Sequence, residues 1–177
     1  MVIRVTRVSD ERREVAVGEW IAATRAAREE GFDFFDWLSA VDRTSEEPAG
    51  FDVVVHLYDV ATPGALRGLL VQTRIVEGEA LPSLTGVFAG AAWHERETHE
   101  MFGIDVAGFD DGSGLGLRPL LLPDGFEGHP LRKDFYLAAR VSKDWPGAKE
   151  PGQPHTGGPG RRKMQPPGVP PQEWGPR

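Results

Sequence analysis

Residues 51–60, Phe-Asp-Val-Val-Val-His-Leu-Tyr-Asp-Val, decide the fold. β-Branched and aromatic residues fill the run, and Pro48-Ala49-Gly50 and Thr62-Pro63-Gly64 bracket it, the pattern of a strand between two turns. Gly68 to Val76 (GLLVQTRIV) has the same character and reads as its neighbour. Pro63-Gly64 lies too far from that start for a tight hairpin, so a longer connection is expected. Towards the N-terminus, Phe34 to Val41 is a further candidate strand. Glu19 to Glu30 reads as a helix, with Trp20, Ile21, Thr24 and Ala27 on one stripe and Gly31 suited to the position just past its end. Towards the C-terminus, Ser83 is a plausible N-cap for helical sequence running to Phe102, closed by Gly103. Gly86 and Gly90 weaken the first half, so a short helical turn, a break and a firmer helix from Ala91 are expected. Leu117 to Leu122 reads as an extended apolar stretch, Pro123-Asp124-Gly125 as a turn, and His129 as extended because Pro130 follows it. Helix, strands, helix and strand in this order predict an α+β fold, a two-layer mixed sheet packed by helices, without internal repeats.

The chain has 177 residues, a length that points to one domain with an appendage. The boundary falls near Trp145: residues 1–145 read as the α/β body. In residues 146–177, 16 of 32 are Pro or Gly, a composition that builds no core and predicts an extended or disordered C-terminal arm. Trp145, Met164, Val169 and Trp174 are its candidate anchors if it orders on a partner. The absence of cysteine excludes disulfides, thiolate zinc sites and cysteine-ligated iron–sulfur clusters from this chain. Residues 1–139 carry 13 Lys and Arg against 24 Asp and Glu, whereas residues 140–177 carry 7 against 3. An acidic body argues against a nucleic-acid partner. Met1 to Asp10 has no apolar signal region and no apolar run approaches the ~20 residues of a membrane span, so a cytoplasmic location is expected.

Trp93-His94-Glu95-Arg96-Glu97-Thr98-His99-Glu100 resembles a zinc-hydrolase helix only superficially. That pattern needs histidines four apart, and His94 and His99 are five apart, about 140° around a helix. Asp110 to Gly116 is Gly-rich but neither follows a strand into a helix nor carries the closing Glu of a calcium loop, so it reads as a surface insert. What remains is a dense charge cluster on one helix. Arg96 and Glu100 are spaced to pair, as are Glu95 and His99. Glu97 and Met101 share a stripe with Trp93. Charges interleaved with Trp93, Met101 and Phe102 suit a partly desolvated interface. The alternative is an enzyme using Glu95, Glu97 or Glu100 with His99 as acid–base groups. A small binding module with a recognition arm is a third reading.

Glu95-Arg96-Glu97, then Glu100, Met101-Phe102 and Gly103-Ile104 resemble the signature of the thirty-kilodalton (C-type) subunit family of respiratory complex I, the bacterial NADH-quinone oxidoreductase. Leu122-Pro123-Asp124-Gly125-Phe126-Glu127-Gly128-His129-Pro130-Leu131-Arg132-Lys133-Asp134-Phe135 is similar to that family's second hallmark. Pro82-Ser83 and Ala92-Trp93 also fit, and the resemblance covers roughly residues 30–137. It implies a subunit without a redox centre in the peripheral arm of a proton-translocating complex, on the cytoplasmic face of the plasma membrane, touching the membrane only through the complex. Iron–sulfur clusters, FMN and quinone would belong to partner subunits. The quinone-site (forty-nine-kilodalton-type) subunit and iron–sulfur subunits would be its neighbours. Glu95, Arg96, Glu97 and Glu100 would hold helix and loops in register, and Arg132, Lys133 and Asp134 would contact the partner. Related subunits serve membrane-bound hydrogenase and formate-oxidising complexes. The sequence departs from the family pattern at Gly108-Phe109-Asp110, where a Gly-His-Pro is usual, and Arg118 alone stands for an arginine-rich strand.

Overall fold

A computed structural model describes residues 10–63, 65–123 and 125–135. The arm expected at 146–177 and the end of the body before it lie outside the described residues. Strand β1 (Asp10–Val15) leads through a 3-10 turn at Val17–Glu19 into helix α1 (Trp20–Glu29). Strands β2 (Phe34–Asp42), β3 (Gly50–Asp59) and β4 (Arg67–Val76) follow. A short strand β5 (Leu81–Pro82), helix α2 (Ala91–Phe102) and a short strand β6 (Val106–Ala107) complete the order. The architecture is α+β, as expected, with both helices and every strand anticipated from 34 to 76 in place.

The main sheet has the order β1-β4-β3-β2. The β2–β3 and β3–β4 pairs are antiparallel, while β1 adds to β4 in parallel, so the sheet is mixed. Alternation along β3 divides its residues between two faces. Phe51, Val53, Val55 and Leu57 point into the core, and Leu69, Val71 and Ile75 of β4 join them. The helices close that side. Trp20, Thr24 and Ala27 are the buried stripe of α1, and Leu81, Leu84, Val87, Phe88 and Ile104 fill the space around α2. Gly31, just past the end of α1, has φ +105°, the left-handed conformation that favours glycine there.

Three expectations need correction. Strand β1 has no counterpart among the expected elements: as an edge strand of sequence DERREV it buries little, so its sequence carries no apolar alternation. Ser83 does not cap a helix; α2 begins after Gly90, and the amides of Ala91 and Ala92 donate to Phe88 O (3.0 Å) and Ala89 O (3.3 Å) of the preceding turn. Leu117 to Leu122 is not a strand: five backbone groups between Arg118 and Leu122 are bound by side chains of α2. The 110–116 segment is a chain of side-chain-held turns: Gly112 N donates to Asp110 Oδ1 at 2.8 Å and Ser113 N to Asp111 Oδ1 at 3.0 Å.

Candidate functional site

Helix α2 carries Glu95, Arg96, half-buried Glu97, Glu100, Met101 and Phe102, and Gly103 follows it. Three loops bond to Glu95, Arg96, Glu100 and the backbone of Met101. Glu95 is fully buried and Arg96 is 8% exposed. The i,i+4 pairing expected of Arg96 with Glu100, and of Glu95 with His99, is replaced by a different arrangement: each charge binds backbone. Arg96 Nε donates to Arg118 O at 3.1 Å and its terminal nitrogen to Pro119 O at 2.6 Å. Glu100 accepts from the next three amides, Leu120 N (3.2 Å), Leu121 N (2.7 Å) and Leu122 N (2.9 Å). One helix face thus presents a cation to two carbonyls and, one turn on, an anion to three amides. In segment 118–122 two carbonyls and three amides are thus bound by α2 side chains in place of a neighbouring strand.

Glu95 binds the opposite loop. Leu84 N donates to its Oε1 at 2.6 Å and Ser83 Oγ to its Oε2 at 2.7 Å. Burial raises the Glu95 pKa, outweighing the Leu84 amide and Ser83 hydroxyl, which pull it down. Burial also acts to raise that of Glu100, but there the amides of Leu121, Leu122 and Leu120, with Arg96 nearby, prevail and hold it below the ordinary glutamate range. His99 Nδ1 lies 3.0 Å from Ile104 O, and the His94 ring meets Phe35 edge-on, so the two histidines serve separate contacts.

The second motif closes the C-terminus of α2. Gly103 N donates to His99 O (2.8 Å), His129 Nδ1 lies 2.9 Å from Glu100 O, and Leu131 N donates to Met101 O (3.1 Å). Three of the helix's terminal carbonyls are thereby satisfied. Gly103 has φ +75°, and a Cβ there would fall 2.6 Å from His129 Nε2. Pro130, half-buried, sets the chain between these contacts. Beyond it the motif reaches the sheet. Lys133 N donates to Asp42 Oδ2 at 2.7 Å. The Arg132 guanidinium lies 5.5 Å over the Phe51 ring, pairs with Glu77 and sits 3.4 Å from Asp134.

The two motifs, joined across 29 residues at Glu100 and His129, therefore form one clamp. Ser83 and Asp42 belong to it without standing out as its anchors in the sequence; their only signal there is a serine before a glycine-weakened segment and an acid ending a strand. The stripe expected along 93, 97 and 101 also drifts, from exposed Trp93 (64%) through half-buried Glu97 to buried Met101. Four-residue spacing advances about 40° past a full turn at each step, which explains the drift. Arg118 is held by Asp111 at 2.7 Å. The Ser113 hydroxyl and then Arg118 keep the Asp111 carboxyl far below its ordinary range. Chemically, the oxygens of Glu95 and Glu100 are occupied by protein donors, and the arrangement fixes loops against a helix. Among the described residues no three His, Cys, Asp or Glu side chains converge on a metal position, and no helix is long and apolar enough to cross a membrane.

The family model for the respiratory-chain NADH dehydrogenase 30 Kd subunit matches residues 13–141. The C-type NADH-quinone oxidoreductase subunit of Mesorhizobium japonicum is 45% identical over 94 residues, covering 53% of this chain and 43% of that protein. The second C-type NADH-quinone oxidoreductase subunit of Rhizobium meliloti is 39% identical over 112 residues, covering 63% of this chain and 57% of that one. The chain spans about half the length of the curated relatives it matches. In fold it is similar to a chain of a membrane-bound sulfane sulfur reductase, an archaeal respiratory membrane complex, with TM-score 0.59, 26% identity and coverage of 76% of this chain and 78% of that one.

Proposed function

The chain belongs to the respiratory-chain NADH dehydrogenase thirty-kilodalton subunit family, and from that premise we propose that it is a cofactor-free structural subunit in the peripheral arm of a proton-translocating NADH-quinone oxidoreductase. It packs there against the quinone-site subunit, next to iron–sulfur subunits, on the cytoplasmic face of the membrane, and electrons from NADH pass to quinone through cofactors of its neighbours. The observation that carries this reading is the use of Arg96 and Glu100: opposite charges one turn apart hold five consecutive residues by their backbone. Such a device fixes a surface. Around it lie half of the large apolar side chains that the described residues expose, Trp93, Leu115, Leu121, Phe126 and Leu131, a concentration that suits burial against another subunit.

The test is purification of the affinity-tagged chain from its own membranes under mild detergent. Co-purification of quinone-site and iron–sulfur subunits with NADH:quinone reductase activity is the expected result. A tagged chain that returns alone and turns over a substrate by itself would instead favour the acid–base enzyme. The fold likeness to an archaeal respiratory membrane complex that reduces sulfane sulfur favours one second reading, an equivalent subunit of a membrane-bound complex with a different electron donor or acceptor. A co-purified assembly that ignores NADH but oxidises hydrogen or formate, or that passes electrons to a sulfane-sulfur compound, would select it.

A further inference from the structure

The face of the sheet turned away from the helices carries a second candidate site. A cleft of about 490 Å³ opens there over β1, β2, β3 and β4. Its centre is His56 of β3, 5% exposed although it points away from the core. His56 Nδ1 is 2.8 Å from Asp36 Oδ2, whereas Nε2 is buried without a hydrogen-bond partner, 3.5 Å from Asp10 Oδ1.

Two backbone features build this cluster. The β2–β3 register shifts between Phe35 and Trp37, so that Asp36 and Trp37 both line the cleft while Phe35 and Leu38 pack on the core side. Such bulges re-aim side chains at functional surfaces. Gly68 is the second: a Cβ there would lie 2.0 Å from Asp10 Oδ1 and 3.2 Å from His56 Nε2, so the missing side chain is what admits the Asp10 carboxylate. Rings flank His56, Trp37 at 5.5 Å and Tyr58 at 4.4 Å. The two arginines that also line the cleft are paired with other groups, Arg43 with Asp52 and Glu46 and Arg12 with Gln72 and Glu14. Asp10 and Asp36 have no arginine or lysine partner among the described residues.

We propose that this cleft is a docking site for an arginine side chain of a partner protein, its guanidinium stacked on Trp37 and bridging Asp36 and Asp10. Charge complementarity selects the occupant. Two carboxylates in one cleft with Trp37, neither paired to an arginine or lysine of the described residues, favour a planar cation that bonds in its plane and stacks through its face, which an ammonium cannot reproduce. The site lies on the opposite side of the sheet from the α2 clamp and is independent of which complex the chain joins.

The full chain, isotopically labelled, is titrated with acetylated tri-arginine amide and followed by NMR. Saturable shifts of the His56 ring and Trp37 indole are expected, with none from tri-glutamate. Asp10→Asn with Asp36→Asn should weaken binding roughly tenfold while the remaining amide spectrum is unchanged. Trp37→Leu, which keeps both acids, should weaken it less but measurably. Shifts spread evenly over the acidic surface, equal affinity for tri-lysine, a preference for tri-glutamate, or undiminished binding by folded variants of both kinds would each overturn the proposal.

Discussion

Glu95 and Glu100 sit on one helix five residues apart, yet their carboxyl groups respond to burial in opposite directions. Glu95 has two donors and no cation, so burial prevails and its proton is held more tightly in the fold than in the unfolded chain. Its contribution to stability is fully present below the ordinary glutamate pKa and is lost as pH rises through the raised folded value. Glu100 has three amides and Arg96 nearby, so the ionised form is favoured. Its contribution is present above the ordinary glutamate pKa and is lost as pH falls through the lowered folded value. Glu95→Gln should therefore be neutral or stabilising at pH 8, because an amide can accept from Leu84 N and donate to Ser83 Oγ. Glu100→Gln should cost about 1.5–3 kcal/mol at the same pH, since an NH2 group would face amides that need an acceptor. Denaturant titrations of both variants from pH 4 to 8 check this. Equal losses at pH 8 would mean that the two carboxylates play the same part.

At the scale of elements, the C-terminus of α2 shows why the two motifs belong together. Gly103→Ala would place a Cβ against the His129 ring in a left-handed conformation, whereas Gly108, with φ +73°, has open space around it. Gly108→Ala should lose about 1 kcal/mol for backbone strain alone, and Gly103→Ala clearly more, with the Leu131 N–Met101 O bond disturbed. Chemical denaturation of the pair isolates the His129 contact, and identical losses would remove it from the account. This region also marks where sequence reading stops. The strands at 34–42, 50–59 and 67–76 and both helices are legible because burial on one face writes a period into the residues. Edge strand β1 buries too little to do so, and β5 and β6, two residues each, are too short to show a period. The run from Leu117 to Leu122 misleads for a related reason. Apolar composition shows that a segment packs, but its backbone partners here are Arg96 and Glu100, more than twenty residues upstream for the farther contacts. The charge cluster itself is legible. That its members ignore one another in favour of backbone is not, since i,i+4 spacing reports proximity on a helix and nothing about competing carbonyls and amides.

For the whole molecule, the consequence is a division between what holds the body and what joins it to neighbours. We propose that residues 146–177 belong to the second class: deleting them should leave the melting temperature of the body nearly unchanged and lower the yield of assembled complex on a native gel. Full assembly of the truncated chain would leave the arm without that part. Arg96 lies on the line between the classes. Its guanidinium bonds the carbonyls of Arg118 and Pro119 and lies 5.6 Å over the ring of Trp93, a side chain 64% exposed. Arg96→Ala removes the donor from two part-buried carbonyls, where an unmet polar group costs at most about 1–3 kcal/mol, a noticeable fraction of a typical domain stability of about 5–15 kcal/mol. It also frees segment 118–122 and Trp93 from their fixed positions. A lysine can reach one carbonyl but cannot serve two in a plane while stacked on the indole, so Arg96→Lys should fall between. If this surface serves assembly, Arg96→Ala lowers the amount of complex in the membrane while the complex that does form turns over at a near-normal rate. Native-gel quantification, with quinone reductase activity normalised to the complex present, separates the two quantities. Unchanged abundance with collapsed activity per complex would place Arg96 in the chemistry or its coupling, and the clamp would then have to be understood as part of the reaction path.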